Sequence, residues 1–315
     1  MEKNWEESPR ATLYMHDAAA KETTTTLFER HGWRLNLPEP PLALEDARLL
    51  DYRDPAEYRT LGLALIAIAI LGAAGFVFRE KEALVAGVVV YLSMLLTAMQ
   101  ATTSYTLMGA EVTATQFPAI YKIVEELRQR FHAPPTRVFV IRKQIWRADA
   151  FGLVAPYAIA LPSVLIDALE LEELRYVLGQ ALGDICFGHT RVALLIGGEE
   201  SALPAVLSWV ATVRDLIFAG YWRAATTSDD RAGILACGSV AKAIRAQFKI
   251  SVGANQLGDV RVDDLIEQAF KVSQGFTRLQ AMLVRWRSPV PPLIPRLEAM
   301  VEWAGLPPTP PIRDS

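Results

Sequence analysis

Two stretches of this chain have no polar face, and they divide its hydrophobic pattern into three parts. Thr60 to Phe78, "TLGLALIAIAILGAAGFVF", carries no charge, and neither do residues 83–110, whose apolar part reads "ALVAGVVVYLSMLLTAMQA". Each is long enough, as a helix, to cross a hydrocarbon core. Only Arg79-Glu80-Lys81-Glu82 separates them. A soluble helix usually keeps a polar side, so the pattern predicts a transmembrane helical hairpin over residues 60–110. Residues 1–59 are polar and proline-containing and read as an extension with one or two short helices. Arg48, Arg53 and Arg59 precede the first apolar run. By the positive-inside rule they favour a cytoplasmic N-terminus. A hairpin returns the chain to the same side, so residues 111–315 are expected to form a cytoplasmic domain anchored to a membrane.

From residue 111 the pattern changes to ordinary amphipathic elements. "QFPAIYKIVEELRQRF" places Phe117, Ile120, Tyr121, Val124, Leu127 and Phe131 at helical spacing. "APP" ends that helix. Residues 137–141, "RVFVI", and 157–161, "YAIAL", read as strands, with Asp149-Ala150-Phe151-Gly152 between them. A short helical stretch begins at Pro162-Ser163. A longer helix follows, with Leu171, Leu174, Val177, Leu178, Ala181, Leu182 and Ile185 spread over most of its circumference, which predicts deep burial. Residues 203–220 form another apolar helix, and Arg214 and Asp215 in its middle argue against a further span. The segment from Tyr221, residues 262–286 and "RLEAMVEWAG" complete a mainly α domain with a small β-sheet, an α+β arrangement.

Composition narrows the chemistry. The net charge is −3 and no long basic run occurs, so a nucleic acid is not an expected partner. The mean hydropathy of +0.20 agrees with a membrane location. The two cysteines, Cys186 and Cys237, have neither CxxC nor metal-ligand spacing and read as buried free thiols in a reducing compartment. The acidic N-terminus lacks the basic start and apolar run of a signal peptide. There is no internal repeat, no P-loop and no GxGxxG.

Five segments between Gln116 and Trp303 occur in a telling order. They are "QFP" opening a helix, Asp149-Ala150-Phe151, "LIDALELEELRYVLG" leading to Gly188-His189-Thr190, "WRAATTSDDRAGILAC", and "SPVPPLIPRLEAMVEW". In this order the chain resembles the HtpX-like and CAAX-prenyl-protease group of zinc metallopeptidases. The resemblance implies a zincin (gluzincin-like) fold for residues 111–315 and a bacterial inner-membrane protein. It also implies a peptide-binding edge strand near Arg137 to Ile141 and Ala155 to Leu161. In such enzymes a His-Glu-x-x-His helix and a downstream Glu hold zinc, and the helix Glu activates the metal-bound water. Carried over residue by residue, the two histidines fall on Gln180 and Asp184 and the general base on Ala181. The downstream glutamate falls on Thr226, the histidine of the last segment on Ser288, and the asparagine of the Asn-Ala-Phe segment on Asp149. Asp230 and Arg231 are retained.

That set cannot run the family's reaction. A zinc site needs three or more N, O or S ligands, and Ala181 cannot take a proton. The expected catalytic residues are therefore none and the expected cofactor is none, with zinc absent. The sequence thus reads as a degenerate, catalytically inactive pseudopeptidase that binds a protein partner or peptide as scaffold, adaptor or regulatory subunit. Asp149, Ala150, Phe151, His189 and Arg231 are the candidates for its peptide cleft. Two alternatives remain open: a hydrolase with a non-standard metal site at Asp184, Asp229 and Asp230, and a structural subunit of a membrane complex. Buried in a helix, Asp184 should find a cation or donor, with Arg223, Arg231 and His189 as the candidates. A Cys186/His189 nucleophilic dyad is a minor further possibility.

Overall fold

The computed structural model describes residues 49–77, 107–196, 208–253, 288 and 290–304, with scattered positions between 85 and 104. A 3₁₀ turn at Leu49–Tyr52 leads into α1, Ala56–Val77. Then come β1 (Ala110–Glu111), α2 (Pro118–Arg130), β2 (Thr136–Ile141), β3 (Asp149–Phe151) and β4 (Tyr157–Pro162). The helices α3 (Ser163–Ala168), α4 (Leu171–Phe187), α5 (His189–Leu195), α6 (Ser208–Cys237), α7 (Val240–Val252) and α8 (Leu293–Trp303) complete the described elements.

The sheet has the order β1-β2-β4-β3. β2 and β4 run parallel in its centre, in register from Thr136 opposite Tyr157 to Ile141 opposite Pro162. β1 and β3 are antiparallel edges. All six residues of β4 are buried, as expected for a strand covered on both faces. The peptide-binding edge expected along Arg137 to Ile141 and Ala155 to Leu161 is therefore corrected. Those strands are interior: they pair with each other along their length, and β1 and β3 cover part of their outer sides. The edge beside the helices is β3, made of Asp149, Ala150 and Phe151.

α4 is the central helix. Its start is set by the Glu173 carboxylate, which accepts the Glu170 backbone N–H at 2.9 Å, a capping-box contact. Gly188 ends it in the left-handed region at φ 82°, where a side chain would be strained. Leu174, Val177, Leu178, Ala181, Leu182 and Ile185 are all buried, in keeping with the broad apolar face read from the sequence, but Leu171 in the first turn is 54% exposed. Ile120, Ile123, Val124 and Leu127 of α2 close the same core. Phe117 and Tyr121, read as core-facing, are 37% exposed. Residues 208–237 form one continuous helix rather than an apolar helix ending near residue 220. The helix expected over 262–286 lies outside the described residues.

The transmembrane hairpin is also corrected. Among the described residues no helix is long and apolar enough to cross a membrane. The first of the two apolar segments belongs to α1, which begins at Ala56 and so carries Glu57 and Arg59 at its start. α1 packs on α6, where Ala64 is buried with Phe218 and Tyr221 and touches neighbours such as Leu61 and Ile217. Part of its apolar surface thus serves an intramolecular helix pair. The connecting residues 79–82 and most of the second segment lie outside the described residues.

Candidate functional site

α4 and α6 approach closely because their contact is made of small residues. A Cβ built on Gly179 would lie 2.3 Å from Ala236 Cβ, and one on Gly183 would lie 2.6 Å from Ala232 Cβ. This proximity brings the polar face of α4, Gln180 and Asp184 one turn apart, against α6. Two separate networks result.

The first centres on Asp230, which is almost fully buried. Arg296 of α8 donates to both its oxygens at 2.7 Å. Tyr176 Oη donates to Oδ1 at 2.7 Å, and Gln180 Nε2 donates to the same oxygen at 2.6 Å. Gln180 also donates to Tyr176 Oη at 3.0 Å. Burial, then the charge of Asp230, raises the Tyr176 pKa well above the usual tyrosine range. Gln180 is therefore a donor fastened to a carboxylate, not a free acceptor pointing at a shared centre.

The second network centres on His189, which has no exposed surface. Its Nε2 lies 2.9 Å from Glu57 Oε2 of α1, and its Nδ1 lies 3.1 Å from Asp229 and 3.5 Å from Asp184. Glu57 is itself fully buried. It accepts from Arg53 Nε at 2.5 Å and from the Ser228 hydroxyl. Burial alone would lower the His189 pKa. The charge of Asp229 and bonds to Asp184, Asp229 and Glu57 more than reverse that, holding the imidazole well above its ordinary range. For Glu57 burial works upward, but the bond and charge of His189, with help from Ser228 and Arg53, hold it below the usual carboxylate range. Asp229 is pushed up to about 7 by desolvation, against the opposing charge of His189 and with the repulsion of Asp184 and Asp230.

The remaining sequence candidates separate from these centres. Thr226 donates back to the Trp222 carbonyl of its own helix at 2.9 Å. Ala181 is turned into the core, 2% exposed. The Ser288 hydroxyl donates to the Val290 carbonyl. Asp149 pairs with Arg147 on the β3 edge. Arg231 donates to the Tyr52 carbonyl at 3.0 Å and reaches Asp54 at 3.5 Å, while Arg223 donates to the Ser288 carbonyl at 3.1 Å. Of the three partners considered for Asp184, it is His189 that meets it. The alternative cation set of Asp184, Asp229 and Asp230 is not assembled as such, because Asp230 is committed to Arg296. His189 stands in its place beside Asp184 and Asp229. A shallow crevice lined by Thr227, Asp230, Arg231, Ile234, Ala299 and Met300 has no enclosed space even for a water, unlike an ordinary ligand pocket.

Sequence reasoning missed Glu57, Tyr176, Tyr221 and Arg296, and it used Arg53 only for chain orientation. Glu57 had one available signal. It is an acidic residue at the mouth of an apolar helix, a position that calls for a partner.

The Cys186/His189 dyad is not formed. Both His189 nitrogens face carboxylates, and burial pushes the Cys186 thiol up to about 12 and the Cys237 thiol up to about 11. A nucleophilic cysteine needs the opposite shift. In the native protein at pH 8, a disulfide reagent is expected to leave both thiols unmodified on a timescale of minutes. In denaturant both should react, and fast native labelling of Cys186 would contradict its placement.

No family model matches this chain, and no curated protein or solved structure matches it either.

Proposed function

We propose that this chain is a metallopeptidase-like pseudoenzyme that works by binding a protein or peptide, as scaffold, adaptor or regulatory subunit. The observation that carries the reading is the fate of the peptidase positions. Gln180 is tied to Asp230, Thr226 bonds its own helix, and Ala181 is core. The three positions expected to hold zinc do not converge, so the family's zinc does not fit this residue set. The residue expected to move a proton has no group that can do so. Losing such a residue alone typically costs about 10²–10⁴ in rate.

The binding half of the reading draws on β3. Among the described residues it is an outer strand of the sheet, and it lies against α4 and α5. Peptide binding along an outer strand of a sheet needs no catalyst. The test is hydrolysis of casein and of quenched fluorescent peptides by the full chain, with and without added zinc. No cleavage above the blank is expected. Chelator-sensitive turnover that co-purifies with the protein and disappears in Gln180→Ala would overturn the reading.

A further inference from the structure

We infer that Asp184, His189 and Asp229 form a site for one divalent transition cation of the zinc class, which shares only Asp184 with the peptidase positions. The three residues come from α4, α5 and α6, and their ligand atoms all lie within 4.8 Å of one another. A tetrahedral ion with bonds of about 2.0–2.1 Å holds its ligand atoms roughly 3.3 Å apart. His189 Nδ1 is 3.1 Å from Asp229 Oδ1 and 3.5 Å from Asp184 Oδ1, which brackets that spacing. One imidazole nitrogen with two carboxylate oxygens suits zinc and its first-row neighbours rather than calcium or magnesium, which prefer oxygen alone.

Two further observations point to a bound ion and not only to an ion pair. The first is Glu57. A metal-ligating histidine almost always donates its other ring N–H to a carboxylate, which fixes the tautomer. Glu57 stands at 2.9 Å from Nε2, so Nδ1 is left to face the two aspartates. The second is Tyr221. It is fully buried, and its hydroxyl has no hydrogen-bond partner among the described residues. Its ring packs edge-on against His189 with centroids 6.0 Å apart, and its phenol feels the charges of His189, Glu57, Arg53 and Asp184. An orphaned buried hydroxyl calls for an explanation, and a bound ion, or a water on it, supplies one. Because ligands bind a metal deprotonated, the ion would take the place of the proton shared between His189 Nδ1 and the aspartates. Asp184 and Asp229 keep 28% and 19% of their side-chain surface exposed, which leaves a route of entry.

The site is structural. Glu57, the carboxylate behind it, is enclosed by Ser228, Arg53 and His189, so among the described residues it is not free to activate a metal-bound water. The ion would instead fasten α1, through Glu57, to α4, α5 and α6. The proposal goes beyond the binding function and stands independently of it.

The experiment is metal titration of the full chain after chelator dialysis. Zinc is read by competition with a chromophoric chelator, and cobalt by its visible absorption. One equivalent of each is expected, with a tetrahedral cobalt spectrum. Asp184→Asn and Asp229→Asn, which keep side-chain volume, should each weaken zinc by at least about a hundredfold. Glu57→Gln should weaken it by about 10–100-fold, the usual cost of losing an orienting partner. Thr226→Ala should bind like the unaltered chain, since Thr226 lies on the peptidase set and not on this one. Circular dichroism confirms that each variant is folded. Less than a tenth of an equivalent bound, or affinity unchanged in both aspartate variants, overturns the site. So does loss of binding in Thr226→Ala. Proteolysis enters none of these readouts. Metal with cleavage would sink the inactive-enzyme reading alone, and neither metal nor cleavage would sink the cation site alone.

Discussion

Asp230→Ala is expected to destabilise the protein by about 3–5 kcal/mol, the cost of breaking a buried ion pair from one side. Arg296 donates two 2.7 Å bonds to Asp230 from the first turn of α8. Its guanidinium would lose its only ion-pair partner among the described residues. Tyr176 and Gln180 would lose their acceptor in the same step. The measurement is the urea unfolding midpoint, which should fall while the denaturant slope is unchanged. Replacing both charges, Asp230→Leu with Arg296→Met, should recover only the part of the loss due to the unpaired Arg296, because Tyr176 and Gln180 still lack the acceptor that Asp230 gave them. A single variant that loses less than about 1 kcal/mol would mean that Arg296 finds water or another partner, and that this network is a surface pair in effect.

The Asp230 cluster also indicates how far a sequence of this kind can be read. The strands at 137–141 and 157–161 were legible, because short apolar runs bounded by proline and polar residues have few other fates. The helix over 171–187 was legible from its spacing. Sheet order was not. Edge and centre differ by which neighbours pair, and β2 and β4 gain theirs from β1 and β3, short strands with no pattern of their own. The apolar run at 60–78 misled for a physical reason. A helix face that packs on another helix and one that packs on lipid are made of the same residues. The contact that places part of this run in the first case, Ala64 against Phe218 and Tyr221, lies more than 150 positions away in the chain, while Leu63, Leu65, Ile66 and Ile70 stay exposed.

The site was legible as a set of losses and not as a set of gains. Gln180, Ala181, Asp184 and Thr226 could be named from the order of segments around them. That the vacated region is filled from outside that order could not. Glu57 reaches His189 across 132 positions, from a helix whose sequence advertises only hydrophobicity. Tyr176 sits among the apolar positions of α4 and reads as core, which it is, while its hydroxyl serves Asp230. Both are amphipathic placements, in which a residue packs as one class and bonds as another.

Gly179→Ala should destabilise by about 1–3 kcal/mol, the usual penalty of overpacking, although alanine is the better helix former. The added Cβ would lie 2.3 Å from Ala236 Cβ and 3.1 Å from the Ala232 carbonyl oxygen. Neither atom is the loose end of a side chain, so α4 and α6 must separate. Gly62→Ala in α1 is the matched control. Nothing lies within 4 Å of its added Cβ, so only helix propensity acts, and stability should rise by up to about 1 kcal/mol. Opposite signs for the same substitution in two helices, read by thermal and urea unfolding, would tie the effect to the α4–α6 contact. Adding Ala236→Gly to Gly179→Ala removes the closest clash and should restore part of the loss. The separation also acts on the site. Gln180 meets Asp230, and Asp184 and Asp229 share His189, only because the two helices touch at Gly179 and Gly183. The Gly179→Ala protein should therefore bind cobalt more weakly than the unaltered chain, although Gly179 contributes no ligand. Equal stability and equal affinity would mean that the helices part without cost and that close approach is not what builds the site.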